Sequence, residues 1–209
     1  PPSLKDGVIV QHDGCVAVVI RPPLGMLDSD SLESLTGIAE KLDAEEFRLT
    51  RDQNIMAIGL PEHNQEEFIA KVGEIGFKAG TKADIISSVV SCPGTSTCPI
   101  GITNSNSLAH EIAEDSEGFS HLPEARIGIS GCHNSCGHHH IADFGLHALA
   151  KKIKGKSAPH YQFHVGGDGT HAQRIAIVGP VVPARLARQA LKTLIGEFSS
   201  SHRKDESVR

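Results

Sequence analysis

The chain has 209 residues, of which 39% are hydrophobic and 22% charged, a globular composition that excludes wholesale disorder. Twenty Lys and Arg against 25 Asp and Glu give a formal net charge of −5, which argues against a general nucleic-acid or anionic-membrane binder. No apolar run approaches the roughly 20 residues of a membrane span. The chain opens at Pro1 without an initiator methionine, so we expect a processed product or a piece of a longer protein.

The first 80 residues predict a small α/β unit. Residues 14–20 are an apolar, β-branched run typical of a buried strand, and Cys15 within it is expected to be a small buried hydrophobe. Potential helix caps from Asp28 onward precede apolar residues at helical spacing, and residues 66–75 indicate a second helix. One bent strand or two short ones are expected near residues 47–60. This alternation predicts a ferredoxin-like half over residues 1–80.

The composition changes after residue 81, where Gly, Pro, Ser, Thr and His become frequent. The pattern predicts a helix over residues 105–114, a strand over residues 126–130 and an amphipathic helix near residues 186–195. Further strands are expected near residues 141–149, 161–165 and 174–178. We therefore expect a second, mixed α/β domain over residues 81–209 and an α+β fold class overall.

Four of the five cysteines lie in this second region, as two unlike pairs. Five residues separate Cys92 from Cys98 in a Pro/Gly/Thr loop, whereas three separate Cys132 from Cys136, which predicts one face of a helical turn. Four thiolates of this kind hold either zinc or a [4Fe–4S] cube. Zinc knuckles favour shorter, repeated spacings, so the pattern favours the cube; zinc and unligated structural cysteines stay open as alternatives.

The residues around these cysteines resemble a known family. The runs CPGTSTC at residues 92–98 and GCHNSCG at residues 131–137 closely resemble the cluster motif of sirohaem-containing sulfite and nitrite reductases. The run RLTRDQN at residues 48–54 resembles the motif of their ferredoxin-like portion, and Gly166-Gly167-Asp168 resembles a glycine pair found late in the same proteins. His133 stands where family members commonly carry Pro, a departure that leaves the cysteines untouched.

The resemblance implies a ferredoxin-like half followed by a domain that binds sirohaem and a cluster. Electrons from ferredoxin or a flavoprotein would enter at the cluster, and sulfite or nitrite would be reduced by six electrons to sulfide or ammonia. Cys136 would also bridge the cluster to the sirohaem iron, which makes it the catalytic candidate. The implied cluster ligands are Cys92, Cys98, Cys132 and Cys136.

Further residues acquire roles only through this resemblance. Arg48, Gln53 and Asn54 would reach sirohaem carboxylates, with structural bonding at a strand end as the alternative. Asn134 would contact the sirohaem edge or cap a helix. The histidines of residues 138–140 would supply positive charge or protons near a bound anion, or form a solvent-facing or structural run.

The family enzyme is a tandem of two related halves, and this chain resembles the second, cluster-bearing half. A missing N-terminal half or a second copy of the chain would then complete the site. The alternatives are a precorrin oxygenase-type cluster protein of cobalamin synthesis and a non-catalytic electron-transfer or zinc-stabilised module. Cysteine usage and the absence of a signal segment predict the cytoplasm, or a plastid stroma if a transit peptide has been lost.

Overall fold

Two five-stranded sheets, each with its own helices, organise the part of the chain that the structure describes. The structure is a computed structural model that describes residues 7–11, 13–84, 86–119, 125–169 and 173–201. The chain divides into two compact units, residues 1–83 and 84–209. The fold is α+β, as the sequence predicts. Among the described residues, none of the helices has the length and apolar character needed to cross a membrane.

The first unit has the βαββαβ order of a ferredoxin-like half, preceded by one additional strand. Its sheet order is β1-β2-β4-β3, all antiparallel, and β5 pairs with the last two residues of β2. The sequence predictions missed the short strands β1 and β5. The elements are β1 (Val8–Val10), β2 (Cys15–Arg21), α1 (Ser29–Lys41), β3 (Glu46–Leu49), β4 (Ile55–Pro61), α2 (Gln65–Glu74) and β5 (Lys78–Ala79).

Helix α1 begins where the sequence predicts it, because the Asp28 carboxylate accepts the backbone N–H of Ser31 at 2.7 Å. The helix buries Leu35 against the sheet, and α2 buries Phe68 in the same core. The prediction for Cys15 was wrong. It is the first residue of β2 and only partly buried, because the chain enters this strand from the turn at Asp13, whose carboxylate accepts the Cys15 N–H at 3.2 Å.

The second unit is built on a mixed sheet with the order β10-β9-β8-β7-β6. Strands β6, β7 and β8 run parallel, whereas β8, β9 and β10 are antiparallel neighbours. Helix α3 coincides with the predicted helix. The elements are β6 (Val89–Ser91), α3 (Ser105–Glu114), α4 (Ser116–Phe119), β7 (Ile127–Ser130), β8 (Phe144–Ile153), β9 (Lys156–Val165), β10 (Ile177–Pro183) and α5 (Ala187–Ser201).

The last three strands differ from their predicted bounds. Strands β8 and β9 are longer than expected, because Lys154 and Gly155 both adopt positive φ and close a tight hairpin. Strand β10 begins at Ile177, three residues later than predicted. It continues to Pro183 through an irregularity between Val178 and Val181, which an edge strand tolerates.

The core of the second unit holds the parallel strands in place. Helix α3 packs on β6 and β7 and contacts α5. The side chains of Ile112, Ile127, Ile129, Leu191 and Ile195 are all fully buried there. Since parallel neighbours end on the same side of a sheet, the segments that follow β6 and β7 emerge together.

Candidate metal centre

The first and third of the four predicted cysteine ligands follow these two parallel strands. Cys92 comes directly after β6, and its backbone N–H donates to the Ile129 carbonyl in β7 at 3.1 Å. Gly131, which precedes Cys132, donates its N–H to the Cys92 Sγ at 3.1 Å. The structure therefore brings Cys92 and the Gly131–Cys132 segment together at one edge of the sheet.

Backbone hydrogen bonds fold the loop of residues 92–98 beside this edge. The Cys98 N–H donates to the Gly94 carbonyl at 2.9 Å, and the Thr95 N–H donates to the Thr103 carbonyl at 2.9 Å. The Ile102 N–H donates to the Gly131 carbonyl at 2.7 Å. The loop that carries Cys98 is thus fastened to the segment that carries Cys132.

Two glycines make this close approach possible. Gly94 has a φ of +56°, and a Cβ there would lie 2.2 Å from the Thr103 carbonyl oxygen. A Cβ on Gly131 would lie 2.7 Å from the Gly94 Cα. Real Cβ atoms do not approach backbone atoms so closely, so a side chain at either position would push the two cysteine segments apart.

Buried polar side chains support the same loop. Ser105, fully buried at the start of α3, donates its hydroxyl to the Cys92 carbonyl at 2.6 Å, and its Oγ lies 3.2 Å from the Cys92 Sγ. Thr103 donates its hydroxyl to the Tyr161 hydroxyl oxygen at 2.7 Å. Burial raises the pKa of Tyr161 to about 12, so the phenol stays neutral at physiological pH.

The Cys132–Cys136 segment is not the helical turn that its spacing predicts. Residues 131–143 form turns and bends, and Ser135 has a left-handed φ of 60°, which interrupts helical geometry between the two cysteines. The Ser130 hydroxyl accepts the Gly137 N–H at 3.0 Å and holds the segment against the end of β7. Asn134 therefore caps no helix, because none begins in this range; its side chain is exposed.

The chemistry of the donor set fits an iron–sulfur cluster. All five cysteines, each in the described part of the chain, are free thiols, so none of the four predicted ligands is consumed by a disulfide. Cys132 is buried, Cys92 and Cys98 are partly buried, and Cys136 is exposed. A common position of the four sulfurs around one cluster stays a prediction.

Family models match nearly the whole chain. Residues 82–206 match the nitrite and sulphite reductase 4Fe-4S domain, and residues 9–75 match the nitrite/sulfite reductase ferredoxin-like half domain. The chain belongs to the nitrite and sulfite reductase family. The resemblance on which the sequence predictions rest is thereby confirmed, and the second unit carries the family's 4Fe-4S domain.

Relatives of this nitrite and sulfite reductase family member differ in length. The assimilatory-type sulfite reductase of Nitratidesulfovibrio vulgaris is 27% identical over 97% of this chain and 88% of its own length. The NADPH sulfite reductase hemoprotein beta-component of Aliivibrio salmonicida is 24% identical over 87% of this chain and 32% of its own. Ferredoxin–nitrite reductase of Synechococcus elongatus is 28% identical over 72% of this chain and 29% of its own length. The chain thus spans about a third of the length of the two latter relatives.

Two solved structures share the fold. The Mycobacterium tuberculosis NirA protein aligns with a TM-score of 0.83 at 20% identity and covers 96% of this chain and 38% of its own. Dissimilatory sulfite reductase I aligns with a TM-score of 0.73 at 11% identity, and the alignment covers 92% of this chain and 64% of the reductase chain.

The predicted sirohaem-binding residues of the first unit lie around the β3–β4 turn. Arg48 is exposed on β3 and forms an ion pair with Glu46 of the same strand. Gln53 adopts a positive φ of 59° within the turn. The Asn54 N–H donates to the Thr50 hydroxyl at 3.1 Å, which braces the turn. Their contact with sirohaem stays a prediction.

The histidine run is partly interior. His139 is fully buried, which contradicts the solvent-facing interpretation for this residue, and His140 is half-buried. Sequence reasoning missed that His164 of β9 and His147 of β8 converge on them. Burial, followed by the neighbouring imidazoles, lowers the pKa of His139 to about 3 and that of His164 to about 4. His139 is therefore uncharged at neutral pH and supplies no positive charge to an anion.

Proposed function

We propose that the chain is the sirohaem- and [4Fe–4S]-binding half of a reductase that converts sulfite to sulfide or nitrite to ammonia by six electrons. The observation that carries this proposal is the meeting of Cys92 and the Gly131–Cys132 segment at adjacent strand ends of the family's 4Fe-4S domain. The relatives named as sulfite and nitrite reductases support the reaction class. The assignment of residues 1–80 to the ferredoxin-like half and of residues 81–209 to the cluster- and sirohaem-binding domain is part of the proposal.

Four thiolates would hold the cluster, which supplies one-electron transfer when bound. The Gly131 amide donates to the Cys92 sulfur and would offset part of its thiolate charge, which is one way in which a protein sets the potential of such a site. Ser105 positions Cys92 through its carbonyl. The proposed ligands are Cys92, Cys98, Cys132 and Cys136.

Cys136 is the proposed link to sirohaem, because it is the exposed member of the four. The exposed Asn134 lies two residues before it and would contact the edge of the macrocycle. Arg48, Gln53 and Asn54 would bind sirohaem carboxylates, since a guanidinium pairs with a carboxylate through two parallel hydrogen bonds. The name of the hemoprotein relative supports a haem-type group.

The anion clamp and the electron donor would lie outside this chain's own residues. We propose that an N-terminal half or a second copy completes the site, because several relatives are about three times as long as the aligned part. The donor would be ferredoxin or a flavoprotein, as the names of the ferredoxin- and NADPH-linked relatives suggest. We place the protein in the cytoplasm on the basis of its cysteine usage.

Anaerobic purification with chemical analysis tests the proposal. We expect about four irons and four acid-labile sulfides per chain, an extractable sirohaem, and viologen-dependent reduction of sulfite or nitrite once the site is complete. One zinc in place of iron would contradict the proposal in favour of a zinc-stabilised module. A fully loaded cluster without sirohaem would contradict it in favour of a precorrin oxygenase-type protein.

A further inference from the structure

A second group of potential metal ligands lies close to the cysteine-bearing turn. Among the described residues, His139, His140 and His164 each offer a ring nitrogen, and these three atoms lie within 4.8 Å of one another. Histidines 139 and 140 come from the turn after Cys136, and His164 comes from β9. The ring centroids of His139 and His140 are 4.1 Å apart, and those of His139 and His164 are 5.0 Å apart.

We propose that His139, His140 and His164 bind one divalent transition-metal ion of the zinc type, separate from the cysteine ligands. Imidazole nitrogen is a preferred ligand of zinc and of neighbouring first-row metals. Three protein ligands leave a fourth tetrahedral position for water. At Zn–N distances of about 2.0–2.1 Å, tetrahedral ligand nitrogens lie about 3.4 Å apart. The imidazoles therefore need only small side-chain rotations to close around an ion.

The hydrogen bonds of the two buried histidines identify the nitrogens that would face the metal. His139 has its Nδ1 2.8 Å from the Ser130 hydroxyl, whereas its buried Nε2 has no hydrogen-bond partner. His164 has its Nε2 2.8 Å from the His147 Nδ1, whereas its buried Nδ1 has no hydrogen-bond partner. A buried polar atom without a partner is costly, so two in one cluster point to a missing ligand.

The tautomers required for metal binding agree with these contacts. With a metal on His139 Nε2, the Nδ1–H donates to the Ser130 oxygen, which also accepts the Gly137 N–H at 3.0 Å. With a metal on His164 Nδ1, the Nε2–H donates to the His147 Nδ1. Metal-bound histidines usually donate their second N–H in this way, which fixes the ring orientation.

The burial of the cluster also suits a metal ion. His139 and His164 are at most 3% exposed, and each has a ring nitrogen that meets no hydrogen-bond partner. An unprotonated imidazole nitrogen presents a lone pair, which is a ligand that zinc and neighbouring first-row metals prefer. A bound ion would join the turn after Cys136 to strand β9.

The test is a titration of the full, chelator-stripped chain with Co²⁺, followed by displacement with Zn²⁺. We expect two Co²⁺ per chain, one at the four free thiols with thiolate-to-cobalt charge-transfer bands and one at the histidines with a visible spectrum that lacks those bands. His140→Gln and His164→Gln should weaken the binding at the histidines by more than about 100-fold, since even outer-shell changes cost 10–100-fold. His160→Gln should retain it, because His160 lies on the same strand, is equally buried and bonds the Ala158 carbonyl instead.

Thermal unfolding with Zn²⁺ provides the second readout. Saturating Zn²⁺ should raise the Tm of the parent chain and of His160→Gln by more than it raises the Tm of His140→Gln, in which only the thiols remain to bind the ion. If His164→Gln fails to fold by circular dichroism, the half-buried His140 variant decides the result. Cobalt binding that shows only thiolate bands, or that is unchanged in His140→Gln, would overturn the proposal. Both outcomes are independent of the iron and sulfide counts that test the proposed function at the cysteines.

Discussion

The backbone N–H of Gly131 donates to the Sγ of Cys92 across 3.1 Å and so joins the segment after β7 to the segment after β6. The two strands are parallel neighbours, and Ser91 lies opposite Ile129 in their register. Cys92 of the first cysteine pair is therefore held beside the segment that carries Cys132 of the second pair. In the proposed cluster site this amide would help to set the reduction potential, since hydrogen bonds to the sulfurs are one of its determinants.

The first prediction concerns Gly94→Ala in this loop. A left-handed alanine costs about 1–2 kcal/mol, and overpacking adds about 1–3 kcal/mol, because the new Cβ would lie 2.2 Å from the Thr103 carbonyl oxygen. We expect a loss of roughly 3 kcal/mol or more in urea unfolding and poor cluster loading.

Gly155→Ala is the matched control for this variant. Gly155 also has a positive φ, +79°, but a Cβ there meets nothing within 4 Å. Gly155→Ala should lose only about 1–2 kcal/mol of unfolding free energy, the cost of a left-handed alanine, and should load its cluster normally. Equal losses in the two variants would show that the close approach of Gly94 to Thr103 is unimportant.

The second prediction compares Cys136→Ser with Cys15→Ser in the complete enzyme. Cys136→Ser should abolish viologen-dependent turnover and alter the sirohaem spectrum, because it removes the proposed bridging thiolate. Cys15 starts a strand in the first unit and should tolerate serine at a cost of about 1 kcal/mol with turnover retained. Normal turnover in Cys136→Ser would eliminate the bridging role.

Much of the fold was predictable because its strongest signals are local. Helix α3 has apolar residues at helical spacing after Asn104, whose side chain accepts the Ser107 N–H at 3.1 Å. The two cysteine pairs were recognisable from spacing and neighbours alone. Strand β10 was misplaced, because Pro180 and Pro183 normally end strands, whereas this edge strand accommodates both.

Other features depend on contacts that spacing does not encode. The i,i+4 relation of Cys132 and Cys136 is helical in sequence, but the positive φ of Ser135 directs the chain otherwise. The histidine cluster joins residues 139 and 140 to His164, which is 24 positions beyond the second of them. The pairing of β8 with β9, which sets Gly145 opposite His164, brings His164 to the turn that carries the other two.

The third prediction concerns the buried pair of Tyr161 and Thr103. Tyr161→Phe leaves the Thr103 hydroxyl without the partner that it contacts at 2.7 Å, and should cost about 1–3 kcal/mol. Thr103→Val should also be destabilising. The double variant should lose less than the sum, because removing both partners leaves no unpaired group. Strict additivity in urea unfolding would show that this hydrogen bond contributes nothing.

The final prediction concerns the link between the end of α3 and α5, where the Asp115 carboxylate accepts from Lys192 Nζ at 2.9 Å. Lys192, and then Arg188, hold the pKa of Asp115 below its usual value of 3.8. A depressed folded-state pKa means that the contribution to stability is complete above the unfolded value and is lost as the pH falls through the folded value. Asp115→Asn should therefore lower the Tm at pH 7, and this loss of Tm should become progressively smaller below pH 3.8. High salt should also reduce the loss, since the ion pair is partly exposed.

Glu114→Gln is the control for Asp115→Asn, because Glu114 lies one position earlier and is exposed; we expect no comparable change in its Tm. Parallel thermal melts of the three proteins between pH 3 and pH 7 decide the matter: an Asp115→Asn effect that persists undiminished at pH 3 would mean that packing, and not the ion pair, fastens α5 at this point.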